Sequence, residues 1–126
     1  MERVRFVEYQ GSQVLLMDCT QCSPAELAGV FREAQRLITS QPQGSVLTLS
    51  DFTGAEFDKK VADQMKLVAT YDRAYVKRSA IVGADSLPDV YYRNLVSFSA
   101  RDFPVFKTRE EALDWLVNES AQRAAG

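Results

Sequence analysis

Three aspartates stand where predicted strands of this chain end, at positions where carboxylates could bind a metal ion. Asp18, Asp51 and Asp85 each follow an apolar run. The carboxyl ends of parallel strands lie at one edge of a sheet, where open α/β sheets bind their ligands. Three oxygen ligands at this edge would suit Mg²⁺. Aspartate at a strand end or a helix start also satisfies free N–H groups. We favour this structural role, so no metal and no cofactor is predicted.

A C-x-x-C pattern, Cys19 and Cys22, lies between a predicted strand and a predicted helix. This placement is typical of thioredoxin-like redox sites, because the dipole of the following helix lowers the pKa of a thiol there. However, no Trp precedes Cys19, and a predicted hairpin stands where thioredoxins have a β-α-β unit. Two unpaired cysteines are the ordinary state in a cytosolic protein. A CxxC redox protein is therefore kept only as a second alternative function.

The composition argues against several other classes of protein. The 126 residues include no histidine, which excludes most His-based acid–base, triad and metal chemistry. No nucleophile-elbow, Walker or dinucleotide-binding motif is present. The 17 acidic and 15 basic residues give no strongly basic face for nucleic acid, and no apolar run approaches the roughly 20 residues of a transmembrane segment. The N-terminus also lacks the apolar region of a secretory signal. We therefore expect a cytoplasmic protein that is not an enzyme.

Basic residues occur at separate points along the sequence, at Lys59-Lys60, Lys77-Arg78, Arg93 and Arg101. Without histidine, a Ser or Cys nucleophile would need one of the lysines as its base. Because the net charge is −2, we interpret these residues as solvated surface charges and not as an anion-binding track.

The elements that would position these residues follow the order β-β-α-β-α-β-α-β-α. Alternating patterns and short apolar runs predict strands at 4–9, 14–17, 46–52, 76–82 and 103–106. The first two form an antiparallel hairpin, whereas strands separated by helices run parallel through right-handed crossovers. The sequence therefore predicts one α/β domain over residues 1–118, with a mixed five-stranded sheet and about four helices. Residues 119–126 are predicted to be a frayed tail.

Capping residues predict where the four helices begin. Ser23–Glu26 is a capping box, with a proline at the first helical position and an apolar stripe after it. A second box at Thr53–Glu56 predicts the start of the second helix. Ser86–Asp89 and Thr108–Glu111 predict the starts of the third and fourth helices. Pro104 predicts that the last strand lies at a sheet edge.

Aromatic residues are concentrated in the C-terminal half, where the third helix carries Tyr91, Tyr92, Leu95 and Phe98. Tyr91, Leu95 and Phe98 share one helical stripe, which favours core packing. Tyr91 and Tyr92 are adjacent and point about 100° apart on a helix, so one of them must leave the core face. The alternative is that this group lines a ligand groove or a homodimer surface.

Four stretches of the sequence resemble a known family. They are residues 22–27 (CSPAEL), 44–57 (GSVLTLSDFTGAEF), 75–83 (YVKRSAIVG) and 103–116 (FPVFKTREEALDWL). Together they cover nearly the whole chain from the second strand to the last helix. They resemble the SpoIIAA-like proteins, which are small bacterial relatives of the STAS domain. The fold of that family is also similar to CRAL-TRIO lipid-transfer domains.

The resemblance implies a STAS-like regulatory module that binds a protein partner, whose identity is unknown. The anti-sigma-factor antagonists in that group are switched by phosphorylation of a Ser in an Asp-Ser-Ser-Gly stretch at the start of the second helix. The like-placed residues here are Asp51, Phe52, Thr53 and Gly54, where Phe52 occupies the phosphorylated position and only Thr53 has a hydroxyl. We expect these residues to form the partner-binding loop. The CRAL-TRIO likeness implies an alternative function, a carrier or sensor of a small apolar ligand.

Overall fold

A five-stranded sheet organises the chain, with strand order β1-β2-β3-β4-β5. The computed structural model describes residues 3–125, with side chains described for residues 3–118. The elements are β1 (Val4–Tyr9), β2 (Ser12–Asp18), α1 (Pro24–Ile38), β3 (Val46–Asp51), α2 (Lys59–Asp72), β4 (Val76–Val82), α3 (Asp89–Ser99), β5 (Val105–Phe106) and α4 (Arg109–Ala125). β1 pairs antiparallel with β2, and all other pairs are parallel. The predicted mixed α/β fold is confirmed.

Helices cover both faces of the sheet. Successive right-handed crossovers in one direction place α1, α2 and α3 on the same face. Their apolar stripes form the larger core cluster, to which Leu15, Met17 and Ile81 contribute from the strands. α4 covers the opposite face, where Ala112 and Leu116 pack in a second cluster with the other side of the same strands. Because both faces are covered, every residue of the central strand β3 is buried.

The first helix begins as the capping pattern predicts. The Ser23 hydroxyl accepts the amide of Glu26, and the Glu26 carboxylate accepts the amide of Ser23. The fourth helix is capped in the predicted way by Thr108, whose hydroxyl accepts the amide of Glu111. In both cases a side chain at the helix start satisfies an amide that has no carbonyl partner within the helix.

The predicted start of the second helix is wrong by several residues. α2 begins at Lys59, and Asp58 is its N-cap, with its carboxylate accepting the amide of Val61. The Thr53–Glu56 segment forms a turn instead, closed by a hydrogen bond from the Ala55 amide to the Phe52 carbonyl. The predicted capping box does not form, because the Thr53 hydroxyl bonds to Asp51 and the Glu56 amide donates to the Cys22 carbonyl. α3 is likewise not capped by Ser86, because its N-cap residue is Pro88 and makes no side-chain cap.

The last strand is shorter than predicted but lies at the predicted edge. β5 contains only Val105 and Phe106, which pair with Ile81 and Val82. The predicted frayed tail lies outside the part of the chain whose side chains are described, and the backbone of α4 is helical to Ala125. Among the described helices, none has the length and apolar character required to cross a bilayer.

Candidate functional site

Three loops meet at the carboxyl ends of β2, β3 and β4, and hydrogen bonds join them. The Gln21 amide donates to the carbonyl of Thr53 at 2.9 Å. The Gly54 amide donates to the Ser86 hydroxyl at 2.8 Å. Gly83 lies so close to Thr53 that a Cβ atom at position 83 would be 2.4 Å from the Thr53 amide nitrogen. The Thr53 loop (residues 51–54) is therefore held from both sides by its neighbours.

Two adjacent strands end in the same Asp-x-Thr turn. The Thr20 hydroxyl donates to Asp18 Oδ1 at 2.6 Å, and the Thr53 hydroxyl donates to Asp51 Oδ1 at 2.7 Å. In each turn the threonine amide also donates to that oxygen. These are Asx turns. In each of them the aspartate carboxylate, instead of a backbone carbonyl, accepts the amide of the residue two positions further along the chain. The two carboxylates thereby face the same side of the sheet edge.

An arginine from the start of α4 joins the two turns. Arg109 Nε lies 2.7 Å from Asp51 Oδ2, and its Nη2 lies 3.2 Å from Asp18 Oδ1. Burial acts to raise the pKa of Asp18, but the hydrogen bonds from Thr20 and the Arg109 charge outweigh it and hold that pKa below its usual range. The two carboxylates thus hold a guanidinium group where the sequence suggested a weak metal site.

The third aspartate does not join this group. Asp85 is exposed in the short 3₁₀ turn Ala84–Ser86, and Arg109 forms ion pairs with Asp18 and Asp51. Within the described side chains, no three carboxylate or thiolate groups are grouped as metal ligands. The possible three-way convergence of Asp18, Asp51 and Asp85 is therefore not found.

The four residues of the Thr53 loop point in different directions. Phe52 is buried, and its ring lies 6.4 Å from that of Phe31 and 5.3 Å from that of Phe57, centroid to centroid. Asp51 is also buried, whereas Thr53 is exposed. Phe52, which aligns with the phosphorylated serine of the resembled family, is therefore part of the core. Thr53 is the exposed residue of this loop, and its hydroxyl bonds to Asp51.

The two cysteines are buried and unpaired. They are linked by a turn in which the Cys22 amide donates to the Cys19 carbonyl at 3.2 Å. Burial raises the pKa of both thiols, most strongly that of Cys19. The position before a helix was expected to favour the thiolate, but desolvation acts in the opposite direction and dominates here. This environment favours inert thiols over a reactive pair.

The aromatic group on α3 does not form one surface. Leu95 is buried, and the Tyr92 hydroxyl donates to the carbonyl of Phe103 at 2.6 Å. Tyr91 is partly buried against the larger core cluster. Phe98, predicted in the core stripe, is half exposed, with the Lys66 ammonium 5.0 Å from its ring centre. The predicted stripe is therefore wrong at Phe98, because the buried face of this helix includes Leu95 and Ser99 and leaves Phe98 outside it.

A small, partly open cavity of about 50 Å³ lies between the sheet and helices α1 to α3. Its wall is mostly apolar and includes Phe31, Met65 and Leu95, with Asp72 and Arg101 on one side. Asp72 Oδ1 is buried without a hydrogen-bond partner. Burial raises the pKa of Asp72 to about 6, although the charge of Arg101 acts to lower it. The sequence analysis did not identify Asp72, and it interpreted Arg101 as a solvated surface charge.

The sequence analysis also missed Arg109, although the position of this residue in the sequence indicates that it has an anionic partner. Arg109 stands in the first turn of a helix, where the helix dipole favours acidic residues and disfavours cations. A basic residue at such a position indicates an anionic partner outside its own helix. Asp72 and Arg101 offer no such signal, because each lies at an element boundary where charged residues are common.

Fold and site together define a single α/β domain with helices on both faces of a mixed sheet and a hydrogen-bonded loop cluster at the carboxyl ends of its strands. Searches against protein-family models, curated proteins and solved structures found no match to this chain. The description of its function therefore depends on the residues themselves.

Proposed function

We propose that this chain is a non-catalytic regulatory module that binds a protein partner through the Thr53 loop. The observation that carries the proposal is that Thr53 is exposed on a loop whose backbone is fixed by neighbouring loops. A surface that is already ordered before binding pays less conformational entropy on association. The resemblance to SpoIIAA-like proteins supports the same function.

Phosphorylation of Thr53 would alter this surface directly. The Thr53 hydroxyl gives its hydrogen to Asp51, and a phosphoryl group on that oxygen would remove the bond. It would also place about two negative charges beside the Asp51 carboxylate. Arg109, which now bonds to Asp51 and Asp18, is the cation nearest to the new charge in this network. The loop would then reorganise around a different set of ion pairs.

Affinity capture with matched variants tests the proposal. We expect at least one protein to bind the wild-type chain, to bind Thr53→Val similarly, and to bind Thr53→Asp differently. Thr70→Asp is the control, because Thr70 is exposed on α2 and its hydroxyl bonds only within its own helix. Identical sets of captured proteins from all four chains, measured by quantitative mass spectrometry, would end the proposal.

A second function, a carrier or sensor of a small apolar ligand, is supported by the cavity. Its apolar wall and the unpartnered oxygen of Asp72 suit a ligand with a short hydrocarbon part and one hydrogen-bond donor. The size of the cavity limits this function, because a cavity of roughly 150 Å³ is needed to bind benzene. The present volume of about 50 Å³ is well below that and holds only a few waters or a short aliphatic group. For this reason we place protein binding first.

Native mass spectrometry of gently purified protein distinguishes the two functions. A carrier would show a discrete added mass that is lost on denaturation. Ala69→Leu, which enlarges a side chain in the cavity wall, should abolish that added mass. A clean apo mass for the wild-type chain would remove the carrier function and leave the protein-binding proposal untouched.

A further inference from the structure

A basic pocket lies at the opposite end of the sheet from the Thr53 loop. It has a volume of about 530 Å³ and begins at the start of β4, whereas the Thr53 loop follows the end of the parallel strand β3. Its charged lining consists of Arg73, Lys77, Arg78, Arg101 and a single carboxylate, Asp102. The prediction of solvated basic residues is therefore wrong for Arg78 and Arg101, which are partly buried, whereas Lys77 is exposed as predicted. The fold brings these three together with Arg73.

Most of these cations lack an anionic partner. Elsewhere in the chain, exposed Arg36 and Arg93 form ion pairs with carboxylates. Within the described side chains, Arg73, Lys77 and Arg78 form no ion pair. Gathering like charges in one pocket is unfavourable unless something compensates for it.

One nitrogen atom in the pocket is buried without any acceptor. Arg78 Nε has no hydrogen-bond partner, and the guanidinium lies 5.4 Å from the ring centre of Trp115. A buried donor without an acceptor costs about 1 to 3 kcal/mol, and more when the group is charged. An anion in the pocket would compensate the charge of this guanidinium. Contact with the Trp115 ring already fixes the guanidinium in one orientation, which reduces the entropy lost on binding.

The adjacent strand edge adds a backbone donor. β5 pairs with β4 only at Ile81 and Val82, and the Ile81 amide donates to the Pro104 carbonyl. Because amides alternate in direction along a strand, the Ser79 amide faces the same side as that of Ile81. β5 does not extend to Ser79, which lines the pocket. Backbone amides and arginines in combination are typical ligands of phosphate groups.

We propose that this pocket binds a small phosphate-bearing molecule. Several cations set against one carboxylate match an anion that carries two or more charges, whereas a single carboxylate would neutralise only one of them. The planar guanidinium group of Arg78 can donate hydrogen bonds to two oxygens of one phosphate group. The pocket volume is in the range of small-molecule sites. This inference is independent of partner binding at the Thr53 loop.

Trp115 provides a direct readout, because it is the only tryptophan in the chain. Titration with inorganic pyrophosphate at constant ionic strength should give a saturable change in tryptophan fluorescence and a matching calorimetric isotherm. Arg78→Gln should weaken the affinity about tenfold or more, since the charge-assisted hydrogen bonds of the guanidinium to the phosphate are lost. Arg93→Gln, on the exposed face of α3, is the matched control and should bind as the wild type does.

A further variant separates ligand binding from a merely structural role. Asp102→Asn removes the only carboxylate of the pocket lining and should tighten pyrophosphate binding by about twofold to fivefold. If Arg78→Gln does not fold, Lys77→Gln replaces it, because Lys77 is exposed at the pocket. The absence of saturable binding by both methods would overturn the proposal. So would equal affinity of the wild type and Arg78→Gln, or tighter binding of citrate than of pyrophosphate.

Discussion

Replacing the buried carboxyl group of Asp72 by an amide should stabilise this protein at neutral pH. Asp72 is 3% exposed, and one of its oxygens has no hydrogen-bond partner. Burial raises its pKa from 3.8 to about 6, and this value already includes the opposing charge of Arg101. At about 1.4 kcal/mol per pKa unit, ionising Asp72 costs the folded state about 3 kcal/mol. Asp72→Asn removes that cost.

The pH dependence gives the sign of the effect. An acid whose pKa is higher in the folded state destabilises that state only where it must ionise. The cost of Asp72 is absent below pH 3.8, increases as the pH rises to about 6, and is constant above that value. The variant should therefore be more stable than the wild type by about 3 kcal/mol at pH 8, and by little at pH 4.

Urea unfolding followed by circular dichroism at pH 4 and pH 8 measures this difference. Asp85→Asn is the control, because Asp85 is exposed and should show the same stability as the wild type at both pH values. A loss of stability in Asp72→Asn at pH 8 would show that the carboxylate is ionised and compensated by Arg101. A gain that is equal at both pH values would also refute the reasoning, because it would not depend on ionisation.

Three other predictions concern the loop cluster. Arg109→Gln should lower the free energy of unfolding by about 2 kcal/mol in urea, because the buried Asp51 loses its charged partner. Gly83→Ala should cost about 1 to 3 kcal/mol more than Gly44→Ala in the same assay. Both glycines have positive φ angles, but only at Gly83 would the added Cβ meet backbone atoms. Cys19 should react with a thiol reagent at pH 8 far more slowly in the native protein than in urea.

Each of these predictions has an outcome that contradicts it. Unchanged stability of Arg109→Gln would mean that the ion pairs at the loop cluster are fully compensated by water. Equal losses in the two glycine variants would show that the loop around residue 53 yields to an added methyl group. Native-state labelling of Cys19 at the unfolded rate would restore the redox interpretation of the C-x-x-C pattern.

Local patterns predict those parts of the fold that local forces determine. Ser23 and Glu26 satisfy each other's amides within one helical turn, so the start of α1 can be read from four residues. The second capping pattern fails because its groups are used elsewhere. Thr53 gives its hydroxyl to Asp51, and the Glu56 amide donates to the Cys22 carbonyl from a different loop. Cys22 is far from Glu56 in the sequence, so a local pattern around residues 53–56 cannot reveal this hydrogen bond.

The charged sites depend on tertiary arrangement even more strongly. Asp51 and Arg109 are 58 positions apart, and their ion pair exists only because α4 begins beside the end of β3. Arg73 directly follows α2, Arg78 lies in β4 and Arg101 follows α3, and each one alone resembles an ordinary surface charge. The strand order brings them together, and this order is known only once the direction of every crossover is known.

The shortness of β5 also determines how much of the edge of β4 is open to pairing with a strand of another molecule. A two-residue strand leaves much of the outer edge of β4 open, and an open edge is a template on which a strand from another molecule can pair. At this edge Lys77 and Arg78 would bring like charges together if the same edges of two copies aligned. Repulsion between these charges would disfavour that alignment. A multivalent anion that neutralised them would weaken this repulsion, and aggregation at high anion occupancy should then be sensitive to the charge at position 77.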